Sequence, residues 1–215
     1  MKTLRPAPNL RAGRSVTCAL TAALASLPGC FSGLHGQAAP PQRYVLEPPQ
    51  LAPDSPAVPA AAASLRVLAP IAAPGLAGDG IAVVRSGERL DDYANVRWAA
   101  AAPAALQSLV IRTIRSTARF AAVEGDVGAV AAGYLLSLDL THFEARYAED
   151  GPPTVRVEIT VELARSSDRA PLRGFVAHSE VKAQADRMQA VIAAFQAATQ
   201  DVLQQIAAGV QPPQP

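Results

Sequence analysis

Few side chains in this 215-residue sequence could do chemistry. Cys18 and Cys30 supply the only thiols, and His35, His142 and His178 the only imidazoles. A zinc site or a histidine-based triad would have to use His142 or His178, because His35 lies in a Pro- and Gly-rich stretch. His142 and Glu144 alternate onto one strand face with Asp139 nearby, yet no cysteine or second histidine stands at metal-ligand spacing, and a wet strand surface accounts for His142 and His178. Gly75, Gly78 and Gly80 superficially suggest a phosphate loop. No Gly-Lys-Ser or Gly-Lys-Thr follows them, so turn chemistry suffices. Arg112, Arg115 and Arg119 form one side of a helical pattern that could meet anionic headgroups or an acidic partner, although a solvated face is the ordinary reading. No catalytic residue, metal site or cofactor emerges from these patterns. With 19 Lys and Arg against 18 Asp and Glu, no nucleic-acid reader announces itself either.

One thiol does carry a clear chemical signal. Lys2, Arg5, Arg11 and Arg14 precede an uncharged stretch over residues 15–27, too short for the roughly 20 residues of a spanning helix. Leu27, Pro28, Gly29 and Cys30 follow directly. They resemble the lipobox of bacterial lipoproteins, with Pro28 in place of the usual small residue. That resemblance implies diacylation of Cys30, cleavage before it, and acylation of the new amino terminus. Three acyl chains exceed what stable membrane attachment needs. By the sorting rule of proteobacterial lipoproteins, Phe31 rather than Asp after the cysteine implies the periplasmic face of the outer membrane. Cleavage would remove four of the 19 basic residues and none of the 18 acidic ones, leaving 15 against 18. Cys18 leaves with the signal, so the mature chain has no disulfide to form.

Residues 30–63 are rich in Pro, Ala and Gly, the composition of an extended tether. A strand-like island at residues 43–46 offers a second reading, one edge strand. Strands are expected at 65–68, 81–85 and 88–93, followed by a helix over about 100–117 that Pro103 starts well. Val155, Val157, Ile159, Val161 and Leu163 alternate with polar residues without one error, which predicts a strand with one buried face. Leu136, Leu138 and Leu140 alternate likewise, but the phase then switches to Phe143 and Ala145; a one-residue bulge near 140–143 would repair it. A third strand over 173–182 completes an antiparallel meander. Ile192, Phe195, Thr199, Val202 and Ile206 then mark a long helix over 187–209. The expected fold is α/β or α+β: a single domain over 64–210, with helices packed on a mixed sheet and a disordered tail over 211–215.

The segment from Ile81 reads IAVVRSGERLDDYANVRWAA. Its Val84, Arg85, Leu90, Tyr93, Ala94, Asn95, Arg97 and Trp98 resemble the motif of the auxiliary lipoprotein component of ABC-type transport systems, the paraquat-inducible protein C-like family. The rest stands in order: the lipobox, residues 44–46, Arg119-Phe120 closing the first helix, residues 143–145 in a strand, and residues 191–195 opening the last helix. Asp92 departs from the family, which often has a second Tyr there. The resemblance implies a non-enzymatic periplasmic domain acting beside an ABC permease, an ATPase and an MCE-domain protein that carries lipids or other hydrophobic molecules between two membranes. It leaves room for a symmetric ring of copies. A free-standing ligand-binding lipoprotein of the envelope is the alternative.

Within that motif, Arg85, Tyr93, Asn95, Arg97 and Trp98 are the candidate partner contacts. Trp98 could anchor a partner, but a lone tryptophan is more often a wedge between helix and sheet. Arg97 could pair with Asp91 or Asp92 to hold its loop, or face a partner.

Overall fold

The computed structural model describes residues 39–51, 61–85, 88–128, 131–148 and 150–212. The lipobox and Cys30 lie outside them. Among the described residues nine strands and two helices run in the order β1 (Gln42–Tyr44), β2 (Ala61–Val67), β3 (Ile71–Ala72), β4 (Gly80–Arg85), β5 (Arg89–Trp98), α1 (Ala102–Ser116), β6 (Phe120–Glu124), β7 (Tyr134–Arg146), β8 (Thr154–Arg165), β9 (Pro171–Lys182) and α2 (Met188–Gly209). The strands form one open mixed sheet, and the fold is α+β.

The 13-residue β7 is the spine of this sheet. Along one edge it pairs antiparallel with β8, which pairs antiparallel with β9. Along the other it takes β2, β3 and β4 in succession, all parallel. The sheet then continues through β2 to β6 and through β4 and β5 to β1. The perfect alternation of β8 is reproduced as burial, with Val155, Val157, Ile159, Val161 and Leu163 all at most 2% exposed. The expected bulge is present between Leu140 and His142. Thr141 is the extra residue, and its hydroxyl donates to the Glu158 backbone carbonyl at 3.2 Å across the strand pair.

Of the two readings of the 43–46 island the structure takes the strand, and the expected end of the first helix moves. The strand-like island over 43–46 supplies β1, an edge strand, and Leu46 beyond it is buried; both lie inside the stretch whose prolines suggest a tether. Arg119 and Phe120 do not close the first helix. That helix ends at Ser116, and Phe120 opens β6, which pairs parallel with β2. Five residues with two alanines carry too little alternation to announce a strand. Its partner, nearly 60 residues earlier in the chain, makes it one.

Helix α1 stops at a sterically costly position. Its Thr117 C-cap is followed by Ala118 at φ +54°, the left-handed conformation in which the Ala118 N–H bonds the Arg115 carbonyl at 3.1 Å. A Cβ is disfavoured there by about 1–2 kcal/mol, which is why glycine usually takes this place. Ala118→Gly is therefore expected to raise stability by about 0.5–1 kcal/mol in urea unfolding, after the entropy cost of glycine in the unfolded chain. A less stable variant would show that the helix does not end as described.

Candidate functional site

The motif at the end of β4 and through β5 forms one rigidly mounted loop. Gly80 pairs with Arg97, while Ala82 pairs with Asp92, so Ile81 of β4 stands opposite four residues of β5, 93–96. This large bulge pushes Ala94 and Asn95 into solvent. Asn95 lies at φ +60°, a left-handed conformation that asparagine tolerates better than most residues, which explains the residue type at this point of the motif.

Each flank of the bulge is fixed. Before it, the Tyr93 hydroxyl donates to the Tyr147 hydroxyl at 3.2 Å, and Tyr147 donates to the carboxylate of Asp186 ahead of α2. The Arg85 guanidinium carbon lies 4.7 Å from the Tyr147 ring centroid and 5.9 Å from that of Tyr93, within cation–π range of both. Burial, then the hydrogen bond with Tyr147, pushes the Tyr93 phenol well above the ordinary tyrosine range; burial, then Asp186, pushes Tyr147 the same way. After the bulge, Arg97 reaches Asp92 at 3.6 Å and Asp79 at 3.8 Å. Asp91, the other partner its spacing offered, is held by Arg89 at 2.7 Å instead. These exposed pairs contribute little stability, about 0–1 kcal/mol each, and serve to set the loop's direction.

Trp98 closes the segment as a wedge. It is 3% exposed, with its ring centroid 5.4 Å from that of Phe143 in β7 and 5.2 Å from that of Phe195 in α2. Phe143 and Phe195 are also 5.2 Å apart, so the three rings form a closed triangle of tilted and edge contacts. The Trp98 indole N–H meets no acceptor among the described residues. Of the five candidate contacts in the motif, Asn95 and Arg85 are thus exposed, Tyr93 and Arg97 are half-buried braces, and Trp98 belongs to the core.

Beside this wedge lies an apolar groove of about 270 Å³ between the chain after β1 and helix α1. Val45, Leu46, Trp98, Ala105, Leu109 and Phe143 line it, and Arg112 stands at it, 3.6 Å from Glu47. Sequence reasoning missed this groove. The run of alanines at 99–105 is its only trace, because small side chains leave space only where another element fails to fill it.

The other sequence-marked groups are occupied. Glu144 is buried, and its carboxylate meets His142 Nδ1 at 2.9 Å, the Phe143 N–H at 2.7 Å and Arg146 at 3.5 Å. No group of three or more His, Cys, Asp or Glu among the described residues could hold a metal ion. Of the arginines expected on a solvated face, Arg115 donates to the Val123 carbonyl at 2.8 Å and Arg119 to the Ala207 carbonyl at 2.6 Å. They clamp α1 to β6 and β6 to α2. No helix among the described residues is long and apolar enough to cross a membrane.

These features define an α+β domain built on one open mixed sheet, with a mounted loop at one end. The model of the ABC-type transport auxiliary lipoprotein component family matches residues 44–207, and the chain belongs to that family. Its lipoprotein character places the chain at the cell envelope. The crystal structure of protein XCC0632 from Xanthomonas campestris is similar, with 26% identity and a TM-score of 0.67 over 76% of this chain and 92% of that one. The crystal structure of an uncharacterized protein shares the fold at 19% identity, with a TM-score of 0.58 over 79% of this chain and 95% of that one. No curated protein matches the sequence.

Two outcomes check the site. Trp98→Ala is expected to cost about 3–5 kcal/mol of unfolding free energy, and Trp98→Phe clearly less, since it keeps a ring and removes the unpaired N–H. Equal losses would mean that the triangle is not the source of the stability. The raised Tyr93 and Tyr147 phenols favour the neutral forms in the folded state. Their contribution is complete below the ordinary tyrosine pKa of about 10 and is lost as pH rises above it. Unfolding followed between about pH 9 and pH 11 should show a shallower loss in Tyr93→Phe than in the parent, and identical slopes would refute the linkage.

Proposed function

We propose that this chain is an accessory lipoprotein of an MCE-associated ABC-type system that moves lipids or other hydrophobic molecules between the envelope membranes. It sits at the periplasmic face of the outer membrane, held by acyl chains on Cys30, and performs no catalytic step of its own. The family match over residues 44–207 is the observation that carries this reading. The lipobox at residues 27–30 and Phe31 after it support the anchor and its address. The partner-facing residues are Asn95, which the bulge exposes, and Arg85, exposed at the end of β4 above the Tyr93 and Tyr147 rings, while Tyr93 and Arg97 brace the bulge and Trp98 holds it to the core. Loops mounted this way present contacts at low ordering cost, because the bulge is fixed before a partner arrives.

Co-purification tests the role. The full chain solubilised from membranes should bring down an MCE-domain protein together with its permease and ATPase, and Asn95→Asp combined with Arg85→Ala should weaken that capture without unfolding the domain. If the lipoprotein brings down none of them while a tagged MCE protein retains its other subunits, the reading is wrong and the free-standing envelope lipoprotein takes its place. Mass spectrometry of the mature amino terminus checks the anchor separately. An unmodified Cys30 would remove it.

A further inference from the structure

Strand β9 is an edge of the sheet: its 12 residues pair with β8 and with no other strand among those described. Such an edge presents a row of backbone donors and acceptors that another chain can extend. The segment is suited to pairing. It alternates through Phe175, Ala177, Ser179 and Val181 on its inner side, and Val176 on the other side is 51% exposed. Pro171 and Arg173 protect one end and Glu180 and Lys182 the other, while residues 174–179 between them hold no Lys, Arg, Asp or Glu.

At the middle of this edge the backbone is already engaged. The His178 N–H donates to Gln205 Oε1 at 3.1 Å, and Gln205 Nε2 donates to the His178 carbonyl at 2.8 Å. A side-chain amide carries one donor and one acceptor, as a backbone residue does, so Gln205 takes the place of one residue of a neighbouring strand. Helix α2 brings it there by running along β9. Asp201 accepts from the Ser179 hydroxyl at 2.9 Å, and Gly209, lacking a Cβ, lets the Phe175 ring sit directly on the helix end. Gln196 makes the same two-point contact on the other flank of α2, accepting from the Glu47 N–H at 3.0 Å and donating to the Glu47 carbonyl at 2.8 Å. The two glutamines are nine residues apart, two and a half turns, and so point to opposite sides of the helix. The pair centres α2 over the sheet; only Gln205 sits on a strand edge.

We propose that Gln205 guards β9 against pairing with the β9 edge of a second copy of this chain, by occupying the two backbone positions at His178 that such a strand would need. The guard leaves assembly to other surfaces of the domain.

The test compares the full chain, purified in detergent, with its Gln205→Ala and Gln205→Met variants by light scattering over a range of concentrations, with amide exchange of residues 172–182. Alanine keeps helix propensity and methionine keeps size, so failure of one to fold leaves the other. The expected result is at least a doubling of mass relative to the parent, growing with concentration, with slower exchange at Val176 and Glu180. Adding Val176→Lys, a charge on the strand, should return the mass to the parent value. Variants that fold and keep the parent mass would overturn the proposal, as would association that leaves β9 exchange unprotected.

Discussion

The single extra residue in β7 is the constraint on which the rest of the domain depends. A strand shows one face at every second residue, so a strand of 13 residues without a bulge would turn Phe143 and Ala145 away from the face that carries Leu136, Leu138 and Leu140. Thr141 absorbs the shift, and its hydroxyl finds an acceptor on β8 instead of being stranded in the ladder. With the phase restored, Phe143 reaches Trp98 and Phe195. That triangle joins β5, β7 and α2, three elements far apart in sequence, and it is where the family motif enters the core.

The motif divides its labour along a physical line. Alternate residues after the bulge, Val96 and Trp98, are buried and fix where the strand goes; Ala94 and Asn95 at the bulge itself are left outside. An arginine stacked on two tyrosines, and a second arginine shared by two aspartates, hold the flanks without burying any charge fully. The result is a projection braced on both flanks. Stiffness suits recognition, since the ordering cost is met by folding rather than by binding.

Charge serves structure in this domain more than its sequence suggests. Helix α2 has no basic residue in its last turn, where the partial negative end of the helix favours a cation. Arg119, just before β6, supplies one by bonding the Ala207 carbonyl. On the open side of the meander, the hydrogen bond from Arg156 holds the Glu158 carboxyl below its usual range. Arg115 and Arg119 therefore act as clamps between elements, and the groove beside Arg112 keeps only a loose ion pair at its edge.

The local repeats in the sequence determined a great deal. The flawless alternation over 155–163 and the phase change near 140 announced β8 and the bulge in β7, and the 3–4 spacing over 192–206 announced α2, because each signal is carried by neighbours on one element. The run ending in Trp98 was likewise legible, since motifs reside in consecutive residues. What the sequence left open was decided by partners distant along the chain. β6 is a strand because β2 lies beside it, Arg97 meets Asp92 and Asp79 while Arg89 holds Asp91, and the groove exists because α1 and the chain after β1 meet across small side chains. Gln196 and Gln205 look like ordinary surface residues of a helix until the backbone groups they satisfy, 149 and 27 residues away, are brought beside them. Periodicity fixes which face of an element is buried, while register between elements fixes which residues meet, and only the packed sheet sets that register.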